Sequence, residues 1–356
     1  MNKNSPILMD VSRVIRRLGR RHTGIDRVEQ AWLSYLATHD SPAMGLMRTR
    51  YGYGLVSKDS LARLSRNQHI KPYIWRPVWM LQGLLKCVPA GSIYLNLGHS
   101  NLTPRVVAAL GKAQMGPLVV MIHDTIPVDY PNLQRPGTNH RFRSFLRQAE
   151  CMDHIICPSE YSADRLRYHV KHQSVSITPL GLTDLPTPQK LALPAKFFVF
   201  VGTLEPRKNI SILLTIWKQN AHRPDWPSLL VCGAPGWESP ALLKELQHTP
   251  PDKVIWLPNA NDAQLAYALD HAQGLLFPSL AEGYGFPPRE ALARGCPVIA
   301  SNLSVLQKDL KNKVTYVDPN NTWDWTCKIL ACPPRHVPIV GPKWSDHFKT
   351  VLNSIC

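Results

Sequence analysis

Apolar residues cluster along this chain in two ways. Short unbroken runs occur at Ile7-Leu8-Met9, Ser92–Leu97, Pro117–Ile122, His154–Cys157, Phe197–Val201, Ser228–Gly233, Val254–Leu257 and Gly274–Pro278. Runs of this kind fit strands of a parallel sheet covered on both faces, because alternation is expected only where one face meets water. Elsewhere apolar residues recur every three or four positions: Ile25, Val28, Trp32, Tyr35 and Leu36; Ile210, Leu213, Leu214 and Trp217; Leu265, Ala268, Leu269 and Ala272; and again within Trp344–Ile355. That spacing predicts helices. Strands thus alternate with helices in both halves, and the expected fold is α/β, with two doubly wound, Rossmann-like domains facing across a cleft. Residues 182–196 carry three prolines and little periodicity, which places a linker there. The expected division is an N-terminal domain over 1–184, a linker at 185–196, a C-terminal domain over 197–340 and a last helix within 341–356. Between Leu303 and Lys313 the pattern thins.

Length and composition fit this picture. A chain of 356 residues has room for two cores, and 44% hydrophobic with 19% charged residues is a globular balance. No apolar run reaches the roughly 18 residues of a membrane span. Only a four-residue apolar stretch precedes Asp10, so no signal peptide is read and a cytoplasmic location is expected. Eight cysteines without a C-x-x-C pair are expected to be reduced, mostly buried fillers.

Charge changes the picture more. Lys and Arg exceed Asp and Glu to give +16, a balance that favours anionic partners: nucleic acid, nucleotide phosphates or an acidic membrane surface. A basic run extends from Arg13 to His22. Residues 65–86 mix Arg66, Lys71, Arg76 and Lys86 with Tyr73, Trp75 and Trp79. They read equally as a packed helix with a basic outer face or as an interfacial surface for lipid headgroups.

The densest chemistry lies in 277–301. Glu282-Gly283-Tyr284-Gly285-Phe286-Pro287-Pro288 follows a strand end, a helix is expected to start near Pro288, and Glu290 should sit in its first turn. Glycines expose backbone N–H groups and a helix start carries partial positive charge, so the turn suits an anion. Either carboxylate alone would be an ordinary dipole-complementing residue. Three other strand ends carry candidates: Thr23-Gly24 before a helix, His123-Asp124 after Pro117–Ile122, and Gly202 through Arg207-Lys208 after Phe197–Val201. Open α/β sheets place ligands at such ends.

Together these residues form a recognisable pattern. From Glu282 through Glu290, Ala291, Gly295, Pro297 and Ala300 to Ser301 the chain reads E-G-x-G-x-P-x-x-E-A-x-x-x-G-x-P-V-I-A-S, which resembles the Glu-x7-Glu motif of the retaining nucleotide-sugar glycosyltransferases of family 4. V-G-T-L-E-P-R-K-N at 201–209 is similar to that family's diphosphate-binding loop. H-D-x-x-P at 123–127, S-x-x-S at 159–162 and TGIDRVE at 23–29 are similar to further family segments. Leu180 departs from the family's P-N-G, and the Pro-Glu pair that often follows A-S is missing.

The resemblance implies a GT-B enzyme, a last helix that crosses back onto the N-terminal domain, and a hexose moved from a nucleotide-diphosphate sugar to a saccharide or lipid-linked saccharide of a bacterial surface polysaccharide. It implies Glu282, His123, Arg207 and Lys208 at the reacting sugar and phosphates, with Glu290, Gly285, Phe286, Gly24 and Gly202 binding the donor. Arg207 and Lys208 would neutralise the departing diphosphate, Glu290 would accept from the ribose hydroxyls, and Glu282 and His123 would contact the transferred sugar. No metal, D-x-D segment or cofactor is expected, nor a nucleic-acid partner; peripheral contact with an anionic membrane on its inner face is the remaining expectation. A basic nucleic-acid-binding protein and a two-domain sugar-nucleotide phosphorylase or epimerase stand as alternatives.

Overall fold

The structure is a computed structural model that describes residues 5–20, 23–172, 174–248 and 253–355. The chain divides into two compact units. One takes in Met1–Val128, Asn139–Gly181 and Trp344–Cys356, the other Asp129–Thr138 and Leu182–Lys343.

The elements of the first unit follow in chain order. They are β1 (Ile7–Asp10), α1 (Ser12–Arg17), α2 (Gly24–Thr38), β2 (Ala43–Arg48), β3 (Gly52–Val56), α3 (Lys58–Ser65), β4 (Ile74–Pro77), α4 (Leu81–Leu85), β5 (Ile93–Asn96), α5 (Pro104–Lys112), β6 (Leu118–Met121), α6 (Ile126–Asp129), α7 (Thr138–Ala149), β7 (His154–Cys157), α8 (Glu160–Arg167) and β8 (Val175–Ile177). The strands stand in the order β4-β3-β2-β1-β5-β6-β7-β8. From β2 to β8 neighbours are parallel, whereas β2–β3 and β3–β4 are antiparallel. Caps start several helices: the Thr103 hydroxyl accepts from Val106 N–H with Pro104 at the first turn, and the Ser159 hydroxyl accepts from Ser162 N–H.

In the second unit the order is β9 (Phe197–Val201), α9 (Ile210–Gln219), β10 (Ser228–Cys232), α10 (Pro240–His248), β11 (Val254–Leu257), α11 (Asp262–His271), β12 (Gly274–Phe277), α12 (Phe286–Ala293), β13 (Val298–Ser301), α13 (Ser304–Leu310), β14 (Thr315–Val317) and α14 (Thr322–Ala331). Its sheet runs β11-β10-β9-β12-β13-β14, parallel throughout. The crossover from β11 back past β9 to β12 is a doubly wound arrangement, so the C-terminal ends of β9 and β12 lie side by side at the switch point. The core gathers Phe198, Phe200, Leu213, Trp217, Leu229, Val231, Leu276 and Trp325.

The last helix, α15 (Trp344–Ser354), packs within the first unit. Phe348 stacks on Tyr35 with ring centroids 4.3 Å apart and meets Trp32 edge-on at 4.9 Å. Trp32 Nε1 donates to His347 Nε2 at 3.1 Å, and His347 Nδ1 lies 3.0 Å from the Pro179 carbonyl. Since a carbonyl only accepts, Nδ1 carries the proton and Nε2 is free to accept. Burial pushes the His347 pKa down to about 4, which suits this neutral tautomer.

Both units are α/β as expected, the helices at 24–38, 210–219 and 262–271 form over the predicted apolar stripes, and the expected last helix is present at 344–354. Three departures stand out. First, β2, β3 and β4 form an antiparallel run where simple alternation was expected. Gly52 and Gly54 are needed there because a Cβ would come within 2.1 Å of the Arg76 carbonyl and 2.6 Å of Pro72. Second, 65–86 is not one helix but the edge strand β4, a short 3-10 turn at Val78–Met80, and α4. Third, the thin stretch after Leu303 contains α13. Of the cysteines, Cys157, Cys232 and Cys296 are buried while Cys87 and Cys151 are exposed, so burial is less general than expected; Cys356 lies outside the described residues. Arg21 and His22, at the end of the basic run, also lie outside them.

Candidate functional site

Because β9 pairs with β12, the loop after each strand reaches the same corner of the second unit. After β9 the chain makes a 3-10 turn at Pro206–Lys208, closed by Asn209 in the left-handed region at φ 53°. After β12 comes the loop 278–285. Leu280 N–H donates to the Arg207 carbonyl at 2.7 Å and ties the two loops together. Residues some 75 positions apart in sequence are thereby brought into contact.

Lys208 Nζ donates to Glu282 Oε1 at 2.5 Å, and Arg207 Nη1 donates to the same oxygen at 3.0 Å and to the Ala281 carbonyl at 3.2 Å. Arg207 Nε donates to Glu205 Oε2 at 2.9 Å. Lys208 also lies over the Phe277 ring, 4.8 Å from its centroid, a favourable seat for a desolvated cation. Lys208 and Glu282 are buried. Burial would raise the Glu282 pKa, but Lys208 and Arg207 outweigh it and hold the carboxyl below its usual value. Burial lowers the Lys208 pKa against the pull of Glu282, and burial raises that of Glu205 against the pull of Arg207. The cluster is two cations and two carboxylates, close to neutral. An entering diphosphate would compete with the carboxylates for both cations.

Gly285 holds φ 78°, and a Cβ there would come 2.8 Å from Leu306 Cδ2, so the turn requires glycine for backbone and for space. It is the N-cap of α12, which begins at Phe286 rather than near Pro288. Two consequences correct the sequence reading. Glu290, itself buried, lies past the first turn and is not a dipole-complementing residue. Pro287 and Pro288 also lack N–H groups, so of the first four helical positions only Phe286 and Arg289 can offer an amide to an anion.

Sequence reasoning missed Arg289. It is buried, its guanidinium lies 4.0 Å from the Tyr284 ring centroid, and it donates to the Tyr284 carbonyl at 3.2 Å and to Asp309 Oδ2 at 2.6 Å. It thus clamps the 283–286 turn onto α13. Glu205, two residues before Arg207, was equally overlooked. Gly202 opens the 202–209 loop at the end of β9; a Cβ there would touch the Lys208 side chain at 3.4 Å.

Within the first unit, His123 follows β6 and is buried. Its Nε2 lies 2.7 Å from the Leu97 carbonyl and its N–H donates to His99 Nε2 at 2.8 Å. Burial pushes its pKa down to about 4. The carbonyl fixes the proton on Nε2, so Nδ1 is a lone-pair acceptor suited to a hydroxyl. Gly24 is exposed and is the first residue of α2, not part of a glycine loop. The turn before it is held by Asp26, whose Oδ2 accepts from Thr23 N–H at 2.6 Å and from the Thr23 hydroxyl at 2.8 Å.

Comparison with known proteins bears on these features. Residues 185–330 match the family described as Glycosyl transferases group 1. O-antigen chain mannosyltransferase RfbU of Salmonella typhimurium is 24% identical over 330 residues, 88% of either chain. Serotype-specific mannosyltransferase WbdA of Escherichia coli is 29% identical over 221 residues, which cover 55% of this chain but 27% of WbdA. Among solved structures, sucrose-phosphate synthase of Thermosynechococcus elongatus superposes with a TM-score of 0.62 at 17% identity, over 99% of this chain and 94% of that one. At that identity the likeness is one of fold.

Proposed function

From the premise that the chain is a glycosyltransferase whose residues 185–330 form a group 1 domain, we propose that it transfers mannose or a similar hexose from a nucleotide-diphosphate sugar to a saccharide or lipid-linked saccharide of a bacterial surface polysaccharide, with retention of configuration. The mannosyltransferase relatives support the sugar class. The observation that carries the reading is the convergence of Arg207 and Lys208 on Glu282. Two cations at the end of a strand suit a leaving diphosphate, Arg as a donor fork and Lys as a compact charge. On this reading the donor phosphates take over both cations and free Glu282, an ionised acceptor, for the hydroxyls of the sugar. Glu290 takes the ribose hydroxyls and the Phe286 amide the phosphate or sugar oxygens; in the first unit, neutral His123 offers Nδ1 as an acceptor for a substrate hydroxyl. Charge neutralisation is thus assigned to side chains, and no cofactor or metal is assigned a step.

The positive excess is read as serving anionic substrates and a lipid surface rather than nucleic acid. Around β4, Trp79 is 80% exposed, Tyr73 53% and Trp75 40%, and Lys71, Arg76 and Lys86 are exposed beside them. Amphipathic rings next to cations suit the headgroup region of an anionic membrane. Among the described residues no helix is long and apolar enough to cross one, so the contact proposed is peripheral, on the cytoplasmic leaflet.

The test is transfer of label from radioactive guanosine diphosphate mannose, with uridine diphosphate glucose as comparison, to saccharide and lipid-linked acceptors. Labelled product with the α configuration is expected. Release of free sugar or sugar phosphate with no acceptor product would instead support a hydrolase or phosphorylase.

A further inference from the structure

We propose that an arginine-lined cavity in the first unit is an anion site for a phosphate or diphosphate ester and that, resting on the transferase reading above, it receives the ester carried by the acceptor. The cavity, about 650 Å³ and open to solvent, is lined by Arg13, Arg16, Arg17, Arg20, Gly98 and His99 among others. Four guanidiniums on a convex helix face would be an ordinary solvated surface. Here they line a concavity, and two of them are fixed from behind.

Arg13 Nη1 donates to Asp26 Oδ1 at 2.6 Å and to Glu29 Oε2, and Arg17 Nε donates to Asp26 Oδ1 at 2.7 Å. Asp26 and Glu29 are buried, and the second Glu29 oxygen has no hydrogen-bond partner among the described residues. Burying two carboxylates to orient two arginines is costly, and stability alone gives little reason for it. Burial lifts the Glu29 pKa to about 7 against Arg13, whereas Arg13 and Arg17 overcome burial to hold Asp26 below its usual value. Gly98 is required by the packing, since a Cβ there would lie 2.3 Å from Glu29 Oε1 and 3.1 Å from Arg13 Cδ. His99 beside it keeps φ 51°, an uncommon conformation for a side-chain-bearing residue. Arg16 and Arg20 are exposed and form no ion pair among the described residues. Four guanidiniums, of which Arg13 and Arg17 are paired with Asp26 and Glu29, give the cavity a positive lining, which suits a phosphate or diphosphate.

The donor's diphosphate already has Arg207 and Lys208 in the second unit. An open cavity also admits an ester with substituents on both sides, as an acceptor phosphate between a lipid and a sugar would be. Donor and acceptor present the same phosphate chemistry, so the test must separate them.

In the 356-residue chain, R16A/R20A removes the two arginines that form no ion pair among the described residues, and R16K/R20K restores the charge. Titration calorimetry with inorganic pyrophosphate should find two sites in the unmodified protein, with R16A/R20A losing one and Lys208→Ala the other. In the transfer assay with a phosphate-bearing acceptor, R16A/R20A should raise the acceptor KM about tenfold to a hundredfold with donor KM unchanged, and R16K/R20K should recover part of the loss. An unchanged pyrophosphate stoichiometry in R16A/R20A would overturn the site. A rise in donor KM instead of acceptor KM would overturn its assignment to the acceptor. Because the calorimetry needs no turnover, absence of transfer would count against the enzymatic reading without deciding the anion site.

Discussion

Lys208 and Glu282 illustrate how one residue pair can serve both stability and chemistry. Each is 8% exposed, and removing one member of a buried pair typically costs about 3–5 kcal/mol. Arg207 remains beside Glu282, so Lys208→Ala should cost less, about 1–3 kcal/mol, while donor affinity falls about tenfold or more; calorimetry and a denaturant series on the same samples would measure both. Glu282→Gln should spare donor binding, because both cations persist, and abolish transfer in the label assay. Equal donor affinity and activity in both variants would refute the roles assigned here. The pair was only half legible in sequence. R-K and E-G-x-G each stood out by local pattern, but that Lys208 would be neutralised by Glu282 depends on the β9–β12 pairing, which no local spacing reveals.

Among the elements, those with continuous apolar runs or a clean helical stripe were legible, and those with mixed faces were not. In α14, Trp325 and Ile329 face the core while Trp323 and Leu330 are largely exposed, so no clear stripe marks it. The strands β3 and β4 carry glycine, proline and exposed tryptophan, and the β4 stretch read as a packed helix or a lipid surface. If β4 and the following turn meet lipid, W75S/W79S should lose co-sedimentation with anionic vesicles while keeping transfer to a soluble acceptor; undiminished sedimentation would remove the surface from consideration. The helix α15 allows a pH prediction. His347 and His123 have folded pKa values of about 4 against 6.5 for the free side chain, so the unfolded chain binds protons more readily. Their stabilisation is complete above about pH 6.5 and is lost as pH falls toward 4. A proton on His347 Nε2 would face the Trp32 N–H directly. Hydrogen exchange at the buried Val351 should therefore accelerate, and the near-UV dichroism of Trp32 should weaken, across that window; a flat response from pH 7 to 4 would contradict the neutral tautomer.

For the whole molecule, the alternation of strand and helix made the α/β class readable. Connectivity was less visible: nothing in the local pattern marks Asp129–Thr138 as joining the second unit, and the return of Trp344–Cys356 to the first was expected from the family resemblance alone. Deleting 344–356 should uncover Trp32 and Tyr35, lower the melting temperature of the first unit and promote aggregation, while Phe197–Ala331 keeps its dichroism. The same connectivity sets a timetable during synthesis. The aromatic face of α2 emerges from the ribosome early, but its covering helix follows only some 306 residues later, a delay of roughly fifteen to sixty seconds at about 5–20 residues per second. Over that interval the second unit can finish folding while the first waits with an uncovered tryptophan, so a nascent chain is expected to present a chaperone-binding surface that disappears only when α15 arrives.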